Sequence, residues 1–93
     1  MSDHVLAVSI SAGNQYSEKV HLGGKFNLSL SGTWVGIVTV QRSFDDGGTW
    51  LDAAEFTANG EYIGQEIEPD VVYRIGVNTG NYTSGIIIGR LSQ

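Results

Sequence analysis

The chain has 93 residues, with ten acidic against five basic side chains, no cysteine and a formal charge of −5. That length suits one domain around one core, and the missing thiols exclude a disulfide framework, a thiolate metal site and a thiol nucleophile. The five cations are dispersed, so no phosphate-binding surface and no nucleic-acid partner is expected.

Thirteen glycines and one proline point to many turns and little helix. No secretory leader or apolar span stands out, so a cytoplasmic site of synthesis and no membrane partner are expected. Apolar runs recur roughly every 8–12 residues between turn signals, the spacing of a sandwich or barrel. Residues 4–11 alternate, with Leu6, Val8 and Ile10 on one face, until Gly13-Asn14-Gln15 breaks the run. Residues 19–22 read as a short edge strand closed by Gly23-Gly24, and residues 25–31 place Phe26, Leu28 and Leu30 inward. Past Gly32 the spacing predicts a long strand over residues 34–44, with Val38 and Val40 inward and Thr39 and Gln41 outward. A turn follows, and the returning strand carries Trp50, Ala54 and Phe56 on one face. Asn59-Gly60 is a type I′ hairpin signal that would join residues 55–58 to 61–67. Glu68-Pro69-Asp70 turns the chain, Val71, Tyr73, Ile75 and Val77 share a face, Thr79-Gly80-Asn81 turns it again, and residues 83–91 form the last strand. The expected fold is all-β: an antiparallel β-sandwich, Ig-like or jelly-roll-like, of about seven or eight strands in a single domain over residues 1–93.

The turn between the central strands is the most specific pattern. Ser43-Phe44-Asp45-Asp46-Gly47-Gly48-Thr49-Trp50 fits S-x-D-x-G-x-T-W at every fixed position. The Ser43 and Asp45 side chains suit turn amides, Gly47 a positive φ, and Thr49 and Trp50 the closing step, with the Trp50 ring packed beneath the hairpin. The pattern resembles the Asp-box of sialidases, where the box is a structural turn remote from the catalytic centre, so the resemblance implies a fold element and no activity. More widely, the run from Val38 to Trp50, then Phe56-Thr57-Ala58-Asn59, Glu68-Pro69, Tyr73-Arg74-Ile75-Gly76-Val77 and Gly89-Arg90-Leu91-Ser92-Gln93, resembles small proteins encoded among the structural genes of tailed phages and prophages. That resemblance covers roughly residues 25–93. It implies a virion-associated β-sandwich, a capsid decoration or another virion component, made in the host cytoplasm and carried in the virion.

Few residues suggest chemistry. His4 and His21 lack a second ligand at metal spacing and read as surface histidines. Asp45 and Asp46 share a glycine turn but lack the alternate acids of a calcium loop, so turn capping accounts for them. Glu61, Glu66, Glu68 and Asp70 cluster near one hairpin without the aromatic cleft that glycoside hydrolysis needs, and read as a solvated face. No cofactor motif occurs, and no enzyme is expected. Trp34, Tyr62 and Tyr82, with Tyr16, lie near loops or strand ends, where rings cap a sandwich or stack on a ligand. Ile86-Ile87-Ile88 puts isoleucine on both faces of the last strand, and Trp34-Val35 with Ile37 is similarly two-faced. Either loops cover the second face or another subunit does. The leading expectation is a non-enzymatic homo-oligomer, with Ile86, Ile87 and Ile88 as its candidate subunit interface, that binds a capsid or other virion protein. The alternative is a carbohydrate-binding module whose platform is Trp34, Tyr62 or Tyr82, with a glycan as partner.

Overall fold

Period-two alternation lets a strand bury one face, so such strands pair into sheets whose apolar faces meet. The structure, a computed structural model, describes residues 5–68 and 71–93. Among these the regular elements are strands: β1 (Val5–Ile10), β2 (Gln15–Tyr16), β3 (Val20–His21), β4 (Gly24–Gly36), β5 (Val38–Ser43), β6 (Leu51–Phe56), β7 (Gly60–Glu66), β8 (Val72–Val77) and β9 (Tyr82–Ser92). A four-stranded sheet runs β1-β9-β4-β7 and a five-stranded sheet runs β2-β8-β5-β6. β2 and β3 share the free edge of β8, at Val77 and Gly76 and at Tyr73 and Val72. Every pairing is antiparallel.

The core lies between the sheets. Ile10, Phe26, Leu28, Leu30, Ile87 and Leu91 face Val38, Val40, Tyr73, Ile75 and Val77, and Leu22 and Val71 join them from the connections. The described residues span 35 × 26 × 17 Å, room for two sheets about 10 Å apart and no third layer. The outer face of each sheet is therefore covered by the strands' own side chains and loops, or by nothing.

The expected sandwich is the observed fold, with nine strands among the described residues because Gln15, read as part of a break, pairs with β8 together with Tyr16. The edge strand expected near residues 19–22 is β3, and the inward faces of β4, β5 and β8 are as read. Connectivity differs in two places. No strand runs over residues 34–44: β4 continues through Gly32 to Gly36, and the chain changes sheets at Ile37 before β5 begins. Gly32 (φ 95°) does not end the strand because β9 packs against it, where a Cβ would lie 2.4 Å from the Ile86 carbonyl oxygen. Asn59-Gly60 does not turn a hairpin either. β6 and β7 belong to opposite sheets and neither residue has a positive φ. Asn59 instead accepts from Trp34 Nε1 (2.6 Å) and donates to the Gly32 carbonyl (2.8 Å), tying the crossover to β4. Pro69 and Asp70 of the expected turn, and His4, lie outside the described residues.

Candidate functional site

The Ser43–Trp50 turn joins β5 to β6, as the spacing predicts. Ser43 is buried; its hydroxyl donates to Asp45 Oδ1 (2.6 Å) and accepts from the Gly47 amide (2.9 Å). Asp45 Oδ1 also accepts from the Thr49 amide (2.8 Å). The Ser43 hydroxyl and then the Thr49 amide hold the Asp45 carboxyl below the usual carboxylate range. Asp46 and Gly47 both take positive φ, 59° and 97°. The Asp45 carboxylate thus serves the turn's own amides, and among the described residues no three His, Asp or Glu side chains come together as metal ligands.

Trp50 is not beneath the hairpin in the core. It is half-buried on the outer face of the five-stranded sheet, where it folds back on Gly47 and covers the Arg74 guanidinium, 4.3 Å from its ring. Tyr16 covers the other side of Arg74 at 3.9 Å. Arg74 Nε donates to Gln41 Oε1 (2.8 Å), Gln41 Nε2 donates to Asp52 (2.8 Å), and the Tyr16 hydroxyl donates to Asn78 (2.5 Å). This lid explains why Thr39, Gln41, Ser43 and Val72 are buried although they face outward. The chain covers this face with its own side chains.

The outer face of the four-stranded sheet has no such lid. Within the isoleucine run, Ile87 is fully buried in the core, whereas Ile86 and Ile88 point outward and are 52% and 42% exposed. Register puts Ile88 between Ser9 and Ser31, Ile86 beside Thr33, and Ser84 beside Val35, itself 58% exposed. The result is an uncharged Ile, Val, Ser and Thr patch across β1, β9 and β4. The patch is bounded at Ile88 by the next row, Arg90 with Glu61, and Lys25 with Gln65 lies further along the strands. Neither reading of the last strand therefore applies to all three isoleucines: one faces the core, and two stand open.

Trp34, Tyr62 and Tyr82 are all half-buried against the core. Trp34 Nε1 donates to Asn59, the Tyr62 hydroxyl to the Ala58 carbonyl (3.2 Å) and the Tyr82 hydroxyl to the Gly85 carbonyl (2.7 Å). Tyr62 also lies against Phe56, with ring centroids 4.2 Å apart. Rings and polar atoms alike are engaged with the chain, the arrangement of capping residues.

One cluster departs from the solvated-face expectation. Glu61 and Glu68 are exposed, but the Glu66 side chain is 1% exposed between the sheets. It accepts from Arg42 (2.5 Å), the Tyr73 hydroxyl (2.7 Å) and the Glu68 amide (3.0 Å). Burial alone would push the Glu66 carboxyl up; the Tyr73 hydroxyl, the Glu68 amide and the Arg42 guanidinium outweigh it and hold the carboxyl below its usual value. Strand parity could have found it, since Tyr62, Gly64 and Glu66 are the inward set of β7. No protein-family model, curated protein or solved structure matches this chain.

Proposed function

We propose that this chain is a non-enzymatic structural protein of a tailed-phage particle that self-associates through the outer face of its four-stranded sheet and, as an oligomer, docks on a capsid or other virion protein. The observation that carries the reading is the uncovered patch of Ile86, Ile88 and Val35 on one sheet, against the opposite sheet's lid of Tyr16, Arg74 and Trp50. Burying branched apolar side chains drives association in proportion to the area removed from water. A chain of charge −5 repels its copies, but contact through this uncharged patch brings no like charges face to face. A stable contact buries on the order of 1,000 Å² or more, so it must extend from the patch across the Arg90 and Glu61 row, whose charges are of opposite sign, to Ala7 and Val5 on β1. The virion setting is supported by the strand-and-turn motifs that resemble phage structural proteins.

The test is mass in solution by size-exclusion chromatography with light scattering, over a wide range of concentration. The expected result is a defined oligomer for the native chain and a folded monomer when Ile86→Asp and Ile88→Asp are combined. A native chain that is monomeric throughout, or an oligomer that the double variant leaves intact, overturns self-association through this face.

A further inference from the structure

The two sheets do not close on the side where β6 and β7 form their edges. A cavity of about 310 Å³ opens there, at the lower end of the roughly 300–1,000 Å³ of small-ligand pockets. Phe26, Leu28, Val40 and Tyr73 line its interior, Ala54 contributes from β6, and Gly64 from β7. Arg42 lines it too, and among the described residues its buried Nε has no hydrogen-bond partner. A buried donor left unpaired is costly, and native structures rarely keep one without a reason.

The surroundings narrow what could satisfy it. Glu66 already neutralises Arg42, and the Tyr73 hydroxyl bonds the same carboxylate. A second carboxylate would be repelled by Glu66, so the fitting acceptor is an uncharged carbonyl. Both walls are edge strands, whose outward main-chain donors and acceptors have no ladder partner. β6 (LDAAEF) and β7 (GEYIGQE) contain neither proline nor lysine, the residues that commonly protect an edge. β6 is exposed from Leu51 to Glu55, and Ala53 and Ala54 offer little bulk to an approaching chain. Its charges are acidic, Asp52 and Glu55. A second copy laid along this edge would bring the same acids against them.

We infer that this groove binds an extended segment of a partner protein by strand addition along β6. Alternate apolar side chains of the segment enter the cavity, a main-chain carbonyl accepts from Arg42 Nε, and lysine or arginine residues face Asp52 and Glu55. This is recognition in which the backbone supplies affinity and the cavity supplies side-chain choice. It uses a different surface from the self-association proposed above and stands or falls separately.

The test is selection of a displayed library of random octapeptides against the full chain. Recovered peptides should alternate apolar residues and carry lysine or arginine. When added to labelled protein, they should shift the β6 amide signals and the Arg42 Nε–H signal. Ala54→Trp should fill the groove and weaken binding by about tenfold or more, with Ala54→Leu as the milder variant if the first does not fold. The combined Ile86→Asp and Ile88→Asp variant should bind as well as the native chain. The inference is overturned if no peptide is enriched, if binders are acidic or ignore Ala54→Trp and Ala54→Leu, or if Arg42 Nε–H does not move. It is overturned equally if anilinonaphthalene sulfonate perturbs these signals while no peptide does, which would make the cavity a small-molecule site.

Discussion

The Tyr73 hydroxyl donates to Glu66 at 2.7 Å across the interior of the sandwich, from β8 in one sheet to β7 in the other. No other hydrogen bond described above joins the two sheets through two buried side chains. Phe26 packs at a tilt against the same tyrosine with ring centroids 5.0 Å apart, so the polar link sits inside an apolar wall. A carboxylate there is tolerable only because three donors surround it.

That link makes stability depend on pH at both ends. Glu66 holds its proton less tightly in the folded chain than in the unfolded one. Its contribution is therefore full above the usual carboxyl value of 4.5 and is lost as pH falls through the lowered folded value. Tyr73 runs the other way, because burial and then the Glu66 carboxylate push its hydroxyl well above the usual 10.0. Stability is full below that value and falls as pH rises beyond it, where only the unfolded chain ionises. Tyr73→Phe removes a donor to a charged acceptor and should cost about 1.5–3 kcal/mol at neutral pH. It should also move the acid unfolding midpoint upward and abolish the alkaline loss that Tyr73 causes. Denaturant titrations across pH measure all three effects, and an unchanged acid midpoint would mean that Tyr73 does not hold Glu66 ionised.

Alternation made the core legible: Phe26, Leu28 and Leu30 on β4, and Tyr73, Ile75 and Val77 on β8, bury the face that period two assigns them. The hydrogen-bonding pattern of Ser43 and Asp45 was legible because side-chain turn chemistry is local. Pairing partners were not. Asn59-Gly60 has the composition of a tight hairpin, yet its geometry follows from where Trp34 and Gly32 lie, 25 and 27 residues away in sequence. The change of sheet at Ile37 sits inside an apolar run whose one marker is Gly36, where the β4–β9 register shifts, and a lone glycine does not say that the strand leaves its sheet. Trp50 looked like core because a large ring commonly is; the stack with Arg74 and Tyr16 depends on β2 pairing with β8, which two residues of sequence do not announce.

That stack needs Gly76. A Cβ at Gly76 would fall 2.2 Å from Tyr16 Cδ1 and 2.4 Å from the Gln15 carbonyl oxygen. Gly76→Ala should lift β2 from β8 at a cost of roughly 1–3 kcal/mol, the range of overpacking. The Ser17 amide, which donates to the Ile75 carbonyl at 2.7 Å, should lose protection from hydrogen exchange. A variant with native melting and a protected Ser17 amide would show that Tyr16 has another place to lie.

Trp50 and Ile87 separate lid from core. Trp50→Ala exposes Arg74 on one side and should cost about 0.5–2 kcal/mol, the scale of a cation–π contact. Ile87→Ala opens a cavity at a fully buried site and should cost about 2–5 kcal/mol. Denaturant midpoints compare them directly, and a larger loss at Trp50 than at Ile87 would place the indole in the core after all.

Gly85 and Gly80 offer a matched pair for the β4–β9 ladder. Both have positive φ, 93° and 89°, but nothing lies within 4 Å of a Cβ at Gly80, whereas one at Gly85 would sit 2.1 Å from the Thr33 carbonyl oxygen. Gly80→Ala therefore carries backbone strain alone, about 1–2 kcal/mol. Gly85→Ala adds a clash with the main chain of β4, which cannot rotate aside as a side chain would, and should cost clearly more. Gly85 precedes Ile86 and pairs with Trp34, so the displacement falls on the strands that carry Ile86, Ile88 and Val35. If the uncharged patch needs a continuous β4–β9 surface to self-associate, Gly85→Ala should shift the solution mass toward monomer while still folded, and Gly80→Ala should not. Equal stability losses in the two variants would mean that β9 can move away from Thr33 freely. An intact oligomer in Gly85→Ala would then separate assembly from that end of the ladder.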